Sequence, residues 1–119
     1  MMKENVLQNK SYDFALRIIK TYQYLCIEKK EFVLSKQILR ARTSIGANVE
    51  EAIGEHSERD FIAKLSISYK EARETHYWIR LLKDSGYFSG KEIDSLLNEC
   101  EELLKIIGSI QKTIRSRNS

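Results

Sequence analysis

Proline is absent from this chain of 119 residues, and only five residues are glycine. Turns in β-sheet proteins draw heavily on both residue types, so a sheet protein of this length is disfavoured. Long uninterrupted helices fit such a composition, and the length suits a single domain, which we place over residues 1–119. The composition therefore predicts an all-α protein.

Cysteine and long apolar runs are equally scarce. Cys26 and Cys100 lie far apart, form no C-x-x-C pattern and fall on apolar stripes, which is typical of small buried hydrophobic residues in a reducing compartment. No apolar run follows the start of the chain, and none reaches the roughly 18 residues of a membrane helix. We therefore expect a cytoplasmic protein without a membrane partner.

The chain has little net charge: 20 basic and 17 acidic residues give +3. A dedicated nucleic-acid domain is often more basic than this. Charge alone therefore favours an ordinary solvated surface.

The common catalytic signatures are missing, including the phosphate-binding loop, G-x-G-x-x-G and H-E-x-x-H. Neither His56 nor His76 has a glutamate three residues before it, so the Glu-x-x-His pairs of di-iron bundles cannot form. His56 falls in a predicted turn, and His76 falls on an apolar stripe, where a histidine is usually part of the core or an interface. We predict no enzymatic activity, no catalytic residue, no metal site and no cofactor.

Apolar residues recur at gaps of three and four, the helical period, along four segments. Ser11 and Ser57 are predicted N-caps, Gly54 is a predicted left-handed C-terminal residue, and the first eight or nine residues are expected to be frayed. Short connections favour antiparallel neighbours, so the predicted fold is an up-down four-helix bundle. The predicted helices span about 11–30, 34–53, 58–85 and 90–115.

The segment from Arg42 to Ala52 is poor in strong helix formers. Gly46 costs a helix about 1 kcal/mol relative to alanine, while Ser44, Asn48 and Glu51 share one face beside the apolar stripe. Two interpretations stay open. One is a close helix crossing, which Gly46 and Ala47 allow and in which the polar groups bond locally. The other is a polar network that sets a subunit interface.

Basic residues cluster by helix face, as in the stripe that Lys70, Arg73 and Arg80 form with Tyr77. Such a surface could contact phosphates in a salt-dependent, sequence-independent way. The alternative is a solvated exterior, since Glu71 and Glu74 lie beside the stripe. The candidate nucleic-acid contacts are Arg17, Lys20, Lys36, Arg40, Lys70, Arg73 and Arg80.

Residues 37–52, 60–65 and 70–82 resemble the bacterial four-helix bundle proteins encoded in 23S rRNA intervening sequences. The combination of Thr-Ser-Ile-Gly-Ala-Asn at 43–48, Lys-Glu-Ala at 70–72 and Tyr77-Trp78 carries this resemblance. The similarity extends over nearly the whole chain.

The resemblance implies an up-down bundle that assembles into a ring-like homopentamer. The accessory variability determinant of diversity-generating retroelements is similar too, and there a basic pentamer surface contacts nucleic acid and a reverse transcriptase. The polar motif residues that the resemblance carries over are Arg40, Arg42, Ser44, Asn48, Glu51, Glu71 and Glu74.

We therefore expect a homo-oligomer, a pentamer by resemblance, whose interfaces cover Tyr77, Trp78 and Ile110. The expected function is that of a non-enzymatic binding protein associated with RNA or DNA, with a reverse transcriptase as a further candidate partner. The alternative is a protein–protein interaction scaffold with no nucleic-acid role.

Overall fold

The computed structural model describes residues 2–118, with side chains from residue 4 onward. Within that range the chain consists of helices joined by short connections and has no strand, which confirms the all-α prediction. Arg40 keeps helical backbone angles (φ −57°, ψ −32°), so the second and third helices form one broken rod, and the bundle has four rods. The helices are α1 (Met2–Ile27), α2 (Leu34–Leu39), α3 (Ala41–Ile53), α4 (Glu58–Asp84) and α5 (Lys91–Asn118).

Consecutive rods run antiparallel. α1 packs against α3 and α5, and α4 packs against the same two helices, so α1 and α4 lie across the diagonal of a square bundle. The molecule measures 48 × 21 × 20 Å. Contacts between Gln8 and Glu50, Ile45 and Ser68, and Lys83 and Asp94 show this antiparallel order.

The core is one continuous cluster of aliphatic side chains to which every helix contributes. α5 contributes the widest face, with eight buried residues that are spaced three or four positions apart except for the adjacent pair Leu96 and Leu97. Ile110 is one of them and is only 5% exposed within a single subunit. The expectation that Ile110 is left over for a subunit interface is therefore wrong, whereas Tyr77 is exposed and Trp78 half-buried.

α1 begins at Met2, well before the predicted start near Ser11. Leu7 is 1% exposed and belongs to the core, so the expectation that the first eight or nine residues are frayed is wrong for residues 2–9, while Met1 lies outside the described residues. Ser11 is not an N-cap, because its hydroxyl donates to the carbonyl of Gln8 inside the helix at 3.1 Å. Among residues 4–10 only Leu7 is buried, so the spacing of apolar residues was too sparse to predict that the helix extends this far.

The connection between α1 and α2 is organised by Glu31, whose buried carboxylate was not expected from the sequence. It accepts backbone N–H groups of Val33 at 3.1 Å, Leu34 at 3.0 Å and Ser35 at 2.7 Å. These are free donors at the start of α2, where a negative charge is favourable. α1 accordingly ends at Ile27, and Lys30 has a left-handed φ of 54°.

The helix ends predicted from Gly54 onward are confirmed only in part. Ser57 is the N-cap of α4 as predicted, since its hydroxyl oxygen accepts the N–H of Asp60 at 3.1 Å. Gly54 is not left-handed, because its φ is −82°. The left-handed glycines are Gly86 (φ 85°) and Gly90 (φ 89°), which flank the aromatic pair of the α4–α5 connection.

Candidate nucleic-acid interface

Lys70, Arg73 and Arg80 are exposed on one face of α4, as the sequence predicts. No carboxylate of the described residues lies within ion-pair distance of any of them. The guanidinium of Arg80 sits 5.7 Å from the ring centroid of Tyr77, a cation–π contact on an exposed surface. The face therefore presents three positive charges that form no ion pair with a carboxylate of the described residues.

A shallow groove runs along this face between α4 and α5. Arg73, His76, Tyr77 and Arg80 line it from α4, and Leu104 lines it from α5. Glu74 is also part of its wall and lowers the positive potential there. The Nε2 of His76 lies 3.0 Å from a carboxylate oxygen of Glu101, and this contact joins α4 to α5.

Two of the predicted phosphate contacts are engaged in ion pairs between helices. Arg17 on α1 donates to Glu99 at 2.6 Å and reaches Glu92 at 3.4 Å, both on α5. Arg40 donates to Glu71 of α4 at 2.8 Å. The structure thus gives both guanidinium groups a role in joining helices, and their contact with phosphate stays a prediction.

The carboxylates of the first half of α5 share one arrangement. Each lies within ion-pair distance of a basic side chain on α1 or α4. The pairs are Glu92 and Glu99 with Arg17, Asp94 with Lys83, Glu101 with His76, and Glu102 with Lys10.

The remaining predicted cations lie elsewhere on the surface. Lys36 is exposed on α2, one turn before Arg40. Lys20 is exposed on α1 and lines a separate cavity together with Tyr24 and Tyr87. The sequence-based interpretation missed these aromatic side chains. The signal available in the sequence was the pair Tyr87 and Phe88 between two glycines, which indicates a turn that carries aromatic residues.

The polar motif of α3 mostly bonds locally and to α4. The side-chain amide of Asn48 donates to the carbonyl of Ser44, and Glu51 pairs with Lys64 at 3.0 Å. Glu71 holds Arg40 and accepts the hydroxyl of Thr75 at its carbonyl, whereas Arg42 and Glu74 are exposed. These bonds favour the helix-crossing interpretation.

Two details of that crossing are unexpected. A methyl group added at Gly46 would lie 3.6 Å from the carbonyl oxygen of Ser11, an ordinary contact, so the approach of α1 to α3 does not require glycine. The hydroxyl oxygen of Ser44 is buried and has no hydrogen-bond partner among residues 2–118. Buried hydroxyl groups are usually bonded.

Both cysteines are free thiols. Cys100 is buried and donates weakly to the carbonyl of Ala72 at 3.3 Å, and burial, with the nearby charge of Glu101, raises its pKa to about 12. Cys26 is only half-buried, so the expectation of a fully buried residue is right for Cys100 alone. Among the described residues no group of three His, Cys, Asp or Glu side chains could hold a metal ion.

The geometry defines a class: a small four-rod helical bundle whose polar side chains chiefly join helices and whose outer faces keep unpaired cations. None of the helices within residues 2–118 combines the length and apolarity needed to cross a membrane. Within this class the chain belongs to the 23S rRNA-intervening sequence protein family, which matches residues 3–109 and confirms the resemblance seen in the motifs.

A solved structure supports the same assignment. The chain is similar to a protein of unknown function from the S23 ribosomal protein family of Bacteroides thetaiotaomicron VPI-5482, whose crystal structure was determined at 1.70 Å resolution. The two share 49% sequence identity with a TM-score of 0.88, over 92% of this chain and 98% of the other. No curated protein matches the chain significantly.

Proposed function

We propose that this chain is a non-enzymatic cytoplasmic binding protein that assembles with copies of itself and contacts the phosphates of RNA or DNA. The observation that carries the proposal is the face of α4 on which Lys70, Arg73 and Arg80 lack carboxylate partners among the described residues. Cations that neutralise phosphates release condensed counterions, and this release drives binding without sequence preference. Membership in the 23S rRNA-intervening sequence protein family supports a setting linked to ribosomal RNA.

Self-assembly is the second element of the proposal, with a ring of five subunits as the proposed form. It is supported by large apolar side chains that stay exposed in a single subunit, including Ile53 on α3 and Ile67 on α4. Exposed apolar patches commonly mark protein interaction sites. Sedimentation velocity over a range of concentrations tests this element, and a monomer at all concentrations would remove the ring while leaving the bundle.

The nucleic-acid element is tested by fluorescence anisotropy with a structured RNA and with a DNA duplex, at low and at high salt. The variant Lys70→Gln/Arg73→Gln/Arg80→Gln should bind more weakly, and its dependence of log affinity on log salt should be shallower by about one unit for each phosphate that the protein no longer neutralises. The matched control, Lys105→Gln/Lys112→Gln/Arg115→Gln, removes the same charge from exposed positions of α5. Equal losses of affinity in the two variants would mean that net charge, and not the α4 face, determines binding.

A protein-interaction scaffold without nucleic acid is the second candidate. It is favoured by Phe32 and Val33, which follow Ile27 at the α1–α2 connection and are 57% and 72% exposed. Side chains of this kind suit contact with another protein surface better than contact with phosphate. Assembly without any complex with RNA or DNA at low salt would favour this candidate.

A further inference from the structure

A second cavity, distinct from the α4 groove, lies where the C-terminal half of α1 meets the α4–α5 connection and the start of α5. Its volume is about 400 Å³, within the range of about 300–1,000 Å³ that is usual for ligand pockets. Basic and aromatic side chains dominate its lining, namely Arg17, Lys20, Lys29, Tyr24, Tyr87 and Phe88.

The charge of this cavity is positive and partly uncompensated. The carboxylate that lines it, Glu92, is engaged by Arg17. Lys20 and Lys29 are exposed, and neither has a carboxylate within ion-pair distance among residues 2–118. Two ammonium groups are therefore available to an anion such as a phosphate.

The aromatic rings are placed beside these cations and remain accessible. Tyr24 is 39% exposed and Tyr87 is 41% exposed, and the ring of Tyr24 leans on that of Phe88 with centroids 5.3 Å apart. The ammonium of Lys29 lies 6.0 Å from the Tyr24 centroid. Rings that only filled the core would be buried, whereas accessible rings beside cations are the arrangement used to stack bases of single strands.

The backbone holds Tyr87 in place. Gly86 ends α4 in a left-handed conformation, and the N–H of Phe88 donates to the carbonyl of Leu82 at 3.3 Å. A second left-handed residue, Gly90, precedes α5 directly. The connection is therefore a defined turn that presents its tyrosine ring, so little conformational freedom is lost when a base stacks on it.

From this arrangement we infer that the cavity binds an unpaired nucleotide of a single RNA or DNA strand. The base stacks on the Tyr87 ring, and the adjoining phosphate lies between Lys20 and Lys29. A paired base in a duplex cannot reach the ring without leaving its own stack, so the cavity selects single-stranded segments. This inference rests on the proposed nucleic-acid function and specifies which form of nucleic acid this surface recognises.

The test compares a short single strand with a duplex of the same sequence by fluorescence anisotropy on the full chain. Tyr87→Ala should weaken single-strand binding by about 5- to 100-fold and leave duplex binding unchanged, because the ring on which one base stacks is removed. Tyr87→Phe keeps the ring and should keep the affinity. Tyr12→Ala, which removes another exposed tyrosine from α1 outside this cavity, is the matched control.

A direct readout comes from Tyr87→Trp, whose added indole emission should be quenched by a single strand and not by a duplex. Circular dichroism of each variant confirms that the bundle is intact, since Tyr87 lies in an exposed connection. Lys20→Gln should make the salt dependence of single-strand binding shallower by the equivalent of about one phosphate.

Each other outcome overturns the inference in a recognisable way. Equal effects of Tyr87→Ala and Tyr12→Ala, with the α4 variant still impaired, would reject the cavity and keep the proposed function. Absence of any binding by the parent chain would reject both. Free adenosine monophosphate binding as tightly as the strand would make the ligand a nucleotide rather than a strand, and Tyr87-dependent binding to phosphatidylglycerol vesicles without strand binding would assign the cavity to a membrane surface.

Discussion

Ser68 of α4 donates its hydroxyl proton to the backbone carbonyl of Ile45 of α3 at 2.9 Å. Both residues are completely buried, so this bond crosses the core between two antiparallel rods. The hydroxyl of Ser44, the residue before Ile45, is also buried but has no partner within residues 2–118. We therefore expect the two serines at this helix crossing to make opposite contributions to stability.

Replacing these serines should separate the two contributions. Ser68→Ala should lower the free energy of unfolding by about 0.5–1.5 kcal/mol, because a satisfied buried hydrogen bond is removed. Ser44→Ala should be neutral or should raise stability by a few tenths of a kcal/mol, since it removes an unsatisfied hydroxyl and favours the helix. Urea denaturation of the two variants checks the order, and an equal loss of stability for both would contradict it.

The carboxylate of Glu31 provides a second prediction. Glu31→Ala should destabilise the chain by about 1–2 kcal/mol, because the backbone donors at the start of α2 are left without their acceptor. Glu28→Ala is the matched control, since this exposed glutamate follows the end of α1 and a negative charge there is unfavourable. Thermal unfolding of the pair should show a large effect only for Glu31, and a similar effect at Glu28 would rule out the capping role.

The glycines separate into two kinds. Gly46→Ala should raise stability by up to about 1 kcal/mol, because the new methyl group fits against Ser11 and alanine favours the helix. Gly86→Ala should lower stability by about 1–2 kcal/mol, because residue 86 has a left-handed φ that costs L-residues this much. Denaturant midpoints for the two variants should move in opposite directions. A loss of stability at Gly46 that grows with protein concentration would instead place that residue at a subunit interface.

The buried thiol of Cys100 should make stability fall at alkaline pH. Its pKa is raised from 9.0 to about 12, so between these values the unfolded chain releases the thiol proton while the folded chain retains it. The unfolded state then binds fewer protons, and stability decreases as pH rises through this window. Subtracting the Cys100→Ala curve from that of the parent isolates the slope, and parallel curves would contradict the assignment.

Much of the fold could be predicted because each rod carries its own apolar period. Ile93, Cys100 and Ile107 on α5 recur at the helical spacing, and the structure buries all three. What escaped prediction depends on partners from other helices. The sequence gives no sign that Arg17 is paired, because its two carboxylate partners lie on α5. The capping role of Glu31 depends on a turn, which the spacing of apolar residues does not predict.

Part of the candidate site could also be predicted from the sequence, and part could not. The stripe of Lys70, Arg73 and Arg80 lies on a single helix, so its spacing was sufficient to find it. The cavity of Lys20 and Tyr87 is formed by segments far apart in the sequence, and only the packed bundle brings them together.

An even number of antiparallel rods places the start of α1 and the end of α5 at the same end of the bundle. Glu4, Ser57 and Arg117 line one cavity there, beside the α3–α4 turn. Tyr87 lies in the connection at the opposite end of a molecule 48 Å long. A fluorescent protein fused to either terminus, or a surface that immobilises the chain by a terminal tag, would therefore leave the cavity that Tyr87 lines open to solvent.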